Sequence, residues 1–189
     1  MRAARTVTEV FAPGILTAAV LVAVGWHSGG VTGVAWAAVA AVFCCFLPLA
    51  ILLWGVRRGI WEDLHVKARE QRVMPLLAMI ASVFAGAVTL ASFDNAPREL
   101  VALEVAMLAG LCAVLTITTW WKVSIHTTVV SGVLAVLTQT YGLYMIAATP
   151  LVALIAWSRV VLGDHTVAQT MVGSVVGAVI AAGVFSVVT

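Results

Sequence analysis

Long apolar segments dominate this chain and restrict it to a membrane fold. Crossing the hydrocarbon core of a bilayer takes about 20 consecutive apolar residues, within a range of roughly 17–25. Such segments lie at 10–26, 32–56, 75–92, 100–120, 127–141, 143–157 and 166–187. The chain is 63% hydrophobic and 10% charged, whereas soluble domains average about 25% charged residues. We therefore predict a single all-α domain over residues 1–189, a polytopic transmembrane bundle of six to seven spans in the cell membrane.

The region 127–157 decides the predicted number of spans. It is too long for one helix and short for two. Gly142 lies near its middle, and Pro150 would bend a continuous helix. Two short spans that meet at Gly142 would return Arg159 to the membrane face that carries His126. We adopt that arrangement as the prediction.

The first apolar segment has the appearance of a signal peptide. Arg2 and Arg5 precede the apolar residues 11–24. No small-x-small cleavage site follows cleanly, because the sequence Gly-Trp-His at 25–27 closes the segment. We interpret it as a retained first span.

Positive charges lie mostly on one side of this predicted topology. That side gathers Arg2, Arg5, Arg57, Arg58, Lys67, Arg69, Arg72, Lys122 and Arg159, and the other side has Arg98. Cytoplasmic loops of membrane proteins carry an excess of Lys and Arg, so this bias favours a cytoplasmic location for the crowded face. Five tryptophans near the same face, typical of an interfacial aromatic belt, are Trp54, Trp61, Trp120, Trp121 and Trp157. A role in walling a lipid entrance is the alternative.

The sequence offers no motif for a metal, a cofactor or a nucleic acid. The three cysteines lie inside apolar segments, and their spacing indicates neither disulfides nor a metal site. Glu62 and Asp63 belong to no aspartate-rich motif. On the last span, Gly173, Gly177 and Ala181 form a small-xxx-small pattern that predicts close helix packing.

Three polar islands interrupt the apolar segments and carry the functional prediction. They are the basic cluster 67–72, the residues 122–126 and the residues 158–165. A charge at a bilayer centre costs about 2.5–3.5 kcal/mol on insertion scales, and such residues are functional candidates by default. His126 and His165 each precede an apolar helix, where free backbone N–H groups favour an anion.

These islands have the side chains that phosphoryl transfer requires. The reaction takes positive donors around the phosphoryl oxygens, an in-line nucleophile and a proton for the leaving oxygen. Two histidines can divide the last two tasks, since imidazole is available both neutral and protonated near neutral pH. The planar guanidinium of arginine suits phosphate oxygens.

The same residues resemble the type-2 phosphatidic acid phosphatase superfamily, over roughly residues 60–185. That family carries the motifs Lys-x6-Arg-Pro, Pro-Ser-Gly-His and Ser-Arg-x5-His-x3-Asp. Ser158, Arg159 and His165 match the third motif, and Gln169 replaces its aspartate. Residues 123–126 read Val-Ser-Ile-His where the second motif has Pro-Ser-Gly-His. In the first motif Arg72 fits the arginine, with valine at the proline slot and His65 at the lysine slot.

The resemblance implies a set of roles, position by position. His165 would be the nucleophile that forms a phosphohistidine, and His126 would protonate the departing lipid alkoxide. Gln169 would orient the His165 imidazole by accepting a hydrogen bond. The phosphoryl oxygens would be held by Arg159, assisted by Arg72, Ser124 and Ser158, with Lys67, Lys122 and His65 as further candidates. Asp164 is predicted to cap the helix that follows it.

This reasoning predicts a metal-independent, cofactor-free phosphatase of a membrane lipid. The substrate would be a polyprenyl phosphate, a polyprenyl diphosphate or phosphatidic acid. Two alternatives stay open. One is a catalytically degenerate protein that binds lipid phosphate without turnover, and the other is a prenyl-diphosphate enzyme that releases a terpene.

Overall fold

The computed structural model describes residues 1–61 and 70–189, and every regular element in those ranges is helical. The α-helices are α1 (Arg2–Val10), α2 (Pro13–Ala41), α3 (Leu47–Arg57), α4 (Val73–Ala91), α5 (Arg98–Trp120), α6 (Ile125–Tyr141), α7 (Thr149–Val161) and α8 (Val167–Val188). A π-helical turn, Val42–Phe46, joins α2 to α3, and short 3₁₀ helices cover Glu70–Arg72 and Leu143–Ala148. The predicted all-α class is confirmed for this part of the chain.

Within residues 1–61 and 70–189, five helical stretches are long and apolar enough to cross a bilayer. They are Arg2–Arg57, Val73–Ala91, Arg98–Trp120, Leu143–Val161 and Val167–Val188. The protein is therefore a multi-pass membrane protein. Helix α6, at 17 residues, lies at the lower limit of the roughly 17–25 residues that span a bilayer. Its status as a span of its own stays a prediction.

The first of these stretches is a hairpin rather than one rod. Gly29 and Gly30 leave helical geometry, and Gly30 has a φ of +55°, a left-handed conformation that favours glycine. Across the reversal, a Cβ atom on Gly25 or on Gly33 would overlap the backbone of the other residue. The two arms therefore pack with their backbones in close contact. The sequence prediction of a break between residues 26 and 32 is confirmed.

The predicted break at Gly142 is also present. Helix α6 ends at Tyr141, and Gly142 takes a φ of +114° that an L side chain rarely adopts. Pro150 lies in the first turn of α7, where its missing N–H costs no helical hydrogen bond. The Tyr141 hydroxyl donates to the carbonyl oxygen of Ala23 at 2.7 Å, which ties this corner to the first hairpin.

Helices α6 and α8 pack closely around the small residues of α8. A Cβ atom on Gly177 would overlap the carbonyl oxygen of Thr128. One on Gly173 would lie 2.7 Å from the carbonyl oxygen of Ser124. Glycine at these positions lets the two backbones approach, as the small-xxx-small pattern predicted.

The antiparallel run of the helices brings five helix ends together on one side of the bundle. Arg72, just before α4, donates from Nη1 to the carbonyl oxygen of Val123, between α5 and α6, at 3.2 Å. The backbone N–H of Ser124 donates to the carbonyl oxygen of Gln169 in the first turn of α8, at 3.3 Å. The end of α7 precedes α8 directly. The polar islands that the structure describes therefore share one end of the bundle.

The aromatic belt predicted at this end needs one correction. Trp54, Trp120, Trp121 and Trp157 are exposed in the structure, as membrane-interface residues would be. Trp61 is buried instead, because its ring occupies the space that a side chain at Gly55 would fill. It packs the end of α3 and does not contribute to an exposed belt.

Candidate functional site

His165 lies in the short connection between α7 and α8 and is 6% exposed. Gly163, with a φ of +72°, provides the left-handed turn after α7. The backbone N–H of His165 then donates to the carbonyl oxygen of Arg159 at 3.3 Å. The chain thus folds back on the end of α7 and fixes the imidazole beside the arginine of the same motif.

Gln169 holds one ring nitrogen of His165. Its Oε1 lies 3.2 Å from Nδ1 of His165 and 3.1 Å from the backbone nitrogen of Thr166. The Thr166 hydroxyl in turn accepts from the Gln169 backbone N–H, which completes a capping box at the start of α8. The contact expected between Gln169 and the imidazole is present, and helix capping is a second use of the same oxygen.

This arrangement selects one tautomer of the His165 imidazole. The backbone N–H of Thr166 is always a donor, so the side-chain atom of Gln169 that faces it is the amide oxygen. The same oxygen must then accept from Nδ1–H of His165. With the proton on Nδ1, the lone pair is on Nε2, which is the nitrogen that can attack an electrophile.

The surroundings of His165 keep its imidazole neutral. Burial, followed by the positive charges of Arg72, Lys122 and Arg159, lowers the pKa of His165 from 6.5 to about 3. The hydrogen bond to Gln169 opposes the shift. Three cations from separate parts of the sequence therefore act on one imidazole. An anion bound among them would meet a neutral imidazole and a positive field.

Arg159 is nearly inaccessible, with 3% of its surface exposed, and forms an ion pair inside its own motif. Its Nη2 lies 3.0 Å from Oδ2 of Asp164. The prediction that Asp164 caps α8 is wrong, because Thr166 is the N-cap residue and Asp164 binds the arginine instead. The carboxylate orients the guanidinium and offsets part of its charge.

Arg72 and Lys122 approach the same end from different elements. Arg72 is 5% exposed, and its bond to the Val123 carbonyl oxygen holds it against the start of α6. Lys122 lies between α5 and α6 and is half-buried. Because Val123 separates Lys122 from Ser124, the bond from Arg72 also fixes the local course of this connection.

His126 occupies the first turn of α6 and is buried, at 6% exposure. Ser124 is the N-cap of this helix, and its hydroxyl accepts from the backbone N–H of Thr127. Ser124 was predicted to bind phosphate through its side chain. In the structure this hydroxyl is fully buried and caps α6, and its phosphate-binding role stays a prediction.

Ser158 was also predicted to be a phosphate ligand, and that role stays a prediction. Its side chain is fully buried and donates to the carbonyl oxygen of Ile155 at 2.8 Å. Its oxygen lies 3.1 Å from the hydroxyl oxygen of Thr8 in α1. The Ser158 side chain therefore contacts the N-terminal helix. Sequence reasoning missed this contact, since nothing local links residues 150 positions apart.

His65 and Lys67 lie in the segment 62–69, outside the described residues, and their assignment stays a prediction. Within 1–61 and 70–189, no three His, Cys, Asp or Glu side chains come close enough together to hold a metal ion.

A buried carboxyl group in α5 was missed at the sequence level. Glu104 is fully buried, and its Oε1 accepts from the Cys44 thiol at 3.5 Å. The backbone of α4 approaches it closely at Gly86. A single acidic residue inside an apolar segment is a signal that could have identified it. It lies near the end of α5 that is remote from His165.

Comparisons with family models, with curated proteins and with solved structures give no match to this chain.

Proposed function

We propose that the protein is a membrane lipid phosphatase that acts through a phosphohistidine on His165. Its substrate is a lipid phosphomonoester or diphosphate of the polyprenyl phosphate, polyprenyl diphosphate or phosphatidic acid type. The observation that carries this proposal is the convergence of Arg72, Lys122 and Arg159 on the buried His165, whose Nδ1 lies 3.2 Å from Oε1 of Gln169. Such an environment favours an anionic ligand beside a neutral imidazole.

The proposed first step uses the lone pair on Nε2 of His165. This nitrogen attacks phosphorus in line with the ester bond, and the Nδ1–H remains on Oε1 of Gln169. Arg72, Arg159 and Lys122 stabilise the charge on the equatorial oxygens. His126, in its protonated form, gives its proton to the leaving lipid oxygen.

The second step regenerates the imidazole. Neutral His126 now takes a proton from water, which attacks the phosphohistidine and releases inorganic phosphate. The positive charge that develops on His165 in the first step, and is lost in the second, lies beside an uncharged partner, since Gln169 replaces the aspartate of the family motif. The Gln169 oxygen supports the ring by dipole and hydrogen bond alone.

A second candidate function rests on that same replacement. Without a carboxylate beside Nδ1, the imidazolium that forms on attack is less stabilised than in the family motif. The ion pair of Arg159 with Asp164 also reduces the positive charge available to the phosphoryl group. Both features favour a protein that binds lipid phosphate and turns it over slowly or not at all.

Phosphate release from a panel of lipid phosphates and diphosphates by the purified protein in detergent tests the proposal. We expect release that persists in EDTA and is inhibited by vanadate, which mimics the five-coordinate phosphoryl group. His165→Ala should abolish it, while His27→Ala, at the opposite end of the bundle, should not. Dependence on added magnesium would contradict the histidine mechanism.

Acid-labile labelling separates the two candidate functions. Rapid quenching in alkali after exposure to a ³²P-labelled substrate should trap label on the wild-type chain and none on His165→Ala. Substrate binding by both proteins without label on either one would favour the binding protein.

A further inference from the structure

The N-terminal helix α1 packs against α7 at the residue that precedes Arg159. Ala4 and Thr8, one turn apart, form the buried face of this short helix. On α7 the contact falls at Ser158, which is fully buried. Residues 1–10 are thus attached to the arginine end of the candidate site although nothing in their sequence resembles a phosphatase motif.

The direction of the hydrogen bond between the two helices can be assigned. The Ser158 hydroxyl has one proton, and it donates that proton to the carbonyl oxygen of Ile155. In the contact with Thr8, at 3.1 Å, the Thr8 hydroxyl is therefore the donor and Ser158 the acceptor. Ser158 would keep its own donor satisfied without α1. The Thr8 bond thus serves to dock α1 on α7.

Docking at this position constrains the direction in which Arg159 projects. Successive residues of an α-helix point about 100° apart. With Ser158 held toward α1, the Arg159 side chain projects toward Asp164, with which its guanidinium pairs. A rotation of the last turn of α7 would move both side chains together. Thr8 fixes that rotation through a bond buried from solvent on both sides.

We propose that Thr8 is a positioning residue for Arg159 and that α1, through its contact with α7, supports the oxyanion-binding site without touching the ligand. The ligand is the phosphoryl group of the proposed function, and in this respect the inference rests on that function. Loss of the Thr8 hydroxyl removes no charge from the site, but it allows the Arg159 guanidinium to leave its position. The effect falls on oxyanion affinity.

The experiment measures binding of orthovanadate to the full-length protein in detergent by titration calorimetry. Thr8→Val keeps the shape and removes the donor, and Thr8→Ser retains the hydroxyl. Thr6→Val is the matched control, because Thr6 is exposed on the same helix and bonds to the carbonyl oxygen of Arg2. We expect Thr8→Val to weaken binding roughly three- to tenfold, the range expected for one hydrogen bond, with Thr8→Ser and Thr6→Val close to wild type.

A double-mutant cycle with Arg159→Lys identifies action through the arginine. If Thr8 positions Arg159, Thr8→Val should weaken binding little further once Arg159→Lys is present. Equal losses in both backgrounds would overturn the inference and leave Thr8 a general packing residue. Wild-type affinity in Thr8→Val would overturn it as well, whatever the stability of that variant.

Failure of the inference can be told from failure of the proposed function. Wild-type vanadate affinity in Thr8→Val, together with phosphate release by the native protein, refutes the role of Thr8 alone. Thr8-dependent vanadate binding without any phosphate release refutes the phosphatase alone. If the native protein binds no vanadate, the proposed role of Thr8 in oxyanion binding is overturned.

Discussion

Gln169 Oε1 lies 3.2 Å from Nδ1 of His165, four residues earlier in the chain. The same oxygen accepts from the backbone N–H of Thr166. One amide oxygen thus links the orientation of the imidazole to the first turn of α8. The backbone carbonyl of Gln169 also accepts from the N–H of Ser124, which attaches the start of α6 to the same residue.

Substitution of Gln169 should distinguish its contact with the His165 imidazole from its role in capping α8. Gln169→Leu removes the acceptor from Nδ1–H and should lower the rate of phosphate release about tenfold or more, since the tautomer is then no longer selected. Gln169→Asp restores the motif carboxylate and should preserve or raise the rate. Steady-state phosphate release by each purified variant provides the measurement.

Thr166→Ala serves as the control for capping. It removes the N-cap oxygen without touching the imidazole and should lower thermal stability, with a smaller effect on turnover. An unchanged rate in Gln169→Leu would remove the residue from the mechanism. Equal losses of activity in Gln169→Leu and Thr166→Ala would indicate that capping alone matters.

The environment of His165 predicts that the folded protein becomes less stable as the pH falls. An unfolded histidine has a pKa of about 6.5, whereas burial first, then the three nearby cations, lowers the pKa of His165 to about 3 in the folded protein. Between these values the unfolded chain binds the extra proton, so stability is complete above pH 6.5 and decreases as pH falls toward 3. Melting temperatures between pH 4 and 7 should follow this slope.

His165→Gln should flatten that slope, because glutamine has no proton to gain in this range. His27→Gln, exposed at the other end of the bundle, should keep it. A wild-type slope in His165→Gln would mean that other groups account for the acid sensitivity.

Asp164 can affect anion binding in two ways: its negative charge offsets that of Arg159, and its carboxylate orients the guanidinium. Substitutions at Asp164 should separate the two effects. Asp164→Asn removes a negative charge 3.0 Å from the guanidinium. Vanadate affinity should then rise about three- to tenfold at low salt, as for a unit charge a few ångströms from an anion in partly hydrated surroundings. Titration calorimetry at low and high ionic strength would show the rise and its screening.

Asp164→Glu keeps the charge and should stay near the wild-type affinity. Weaker binding by Asp164→Asn would show instead that the carboxylate acts mainly by orienting the arginine.

The close approach of α8 to α6 predicts that the loss of stability caused by an added side chain on α8 depends strongly on its position. Gly177→Val places atoms against the carbonyl oxygen of Thr128, and overpacking of this kind should lower the melting temperature by about 4–10 °C. Gly183→Val on the same helix is the matched control, because a Cβ there meets nothing within 4 Å. Thermal unfolding in detergent compares the two. Equal shifts would argue against the tight α6–α8 contact.

The sequence alone determined the class of the protein and the features that depend on neighbouring residues. Long apolar runs imply membrane helices whatever their arrangement, because backbone polar groups must be satisfied within the bilayer. Gly142 was identified as a break, since its conformation is a local property. The approach of Gln169 to His165 was also foreseeable, because residues four apart lie on one face of a helix start.

Tertiary structure alone decided which polar side chains face one another. Thr8 binds Ser158, Arg72 binds the carbonyl of Val123, and Glu104 accepts from Cys44, and none of these pairs is local. In a chain whose membrane-spanning helices are apolar on nearly every side, hydrophobic periodicity does not reveal which face is turned inward. The rotation of each helix is set by packing at small residues and by buried hydrogen bonds. Those contacts exist only once the bundle has formed.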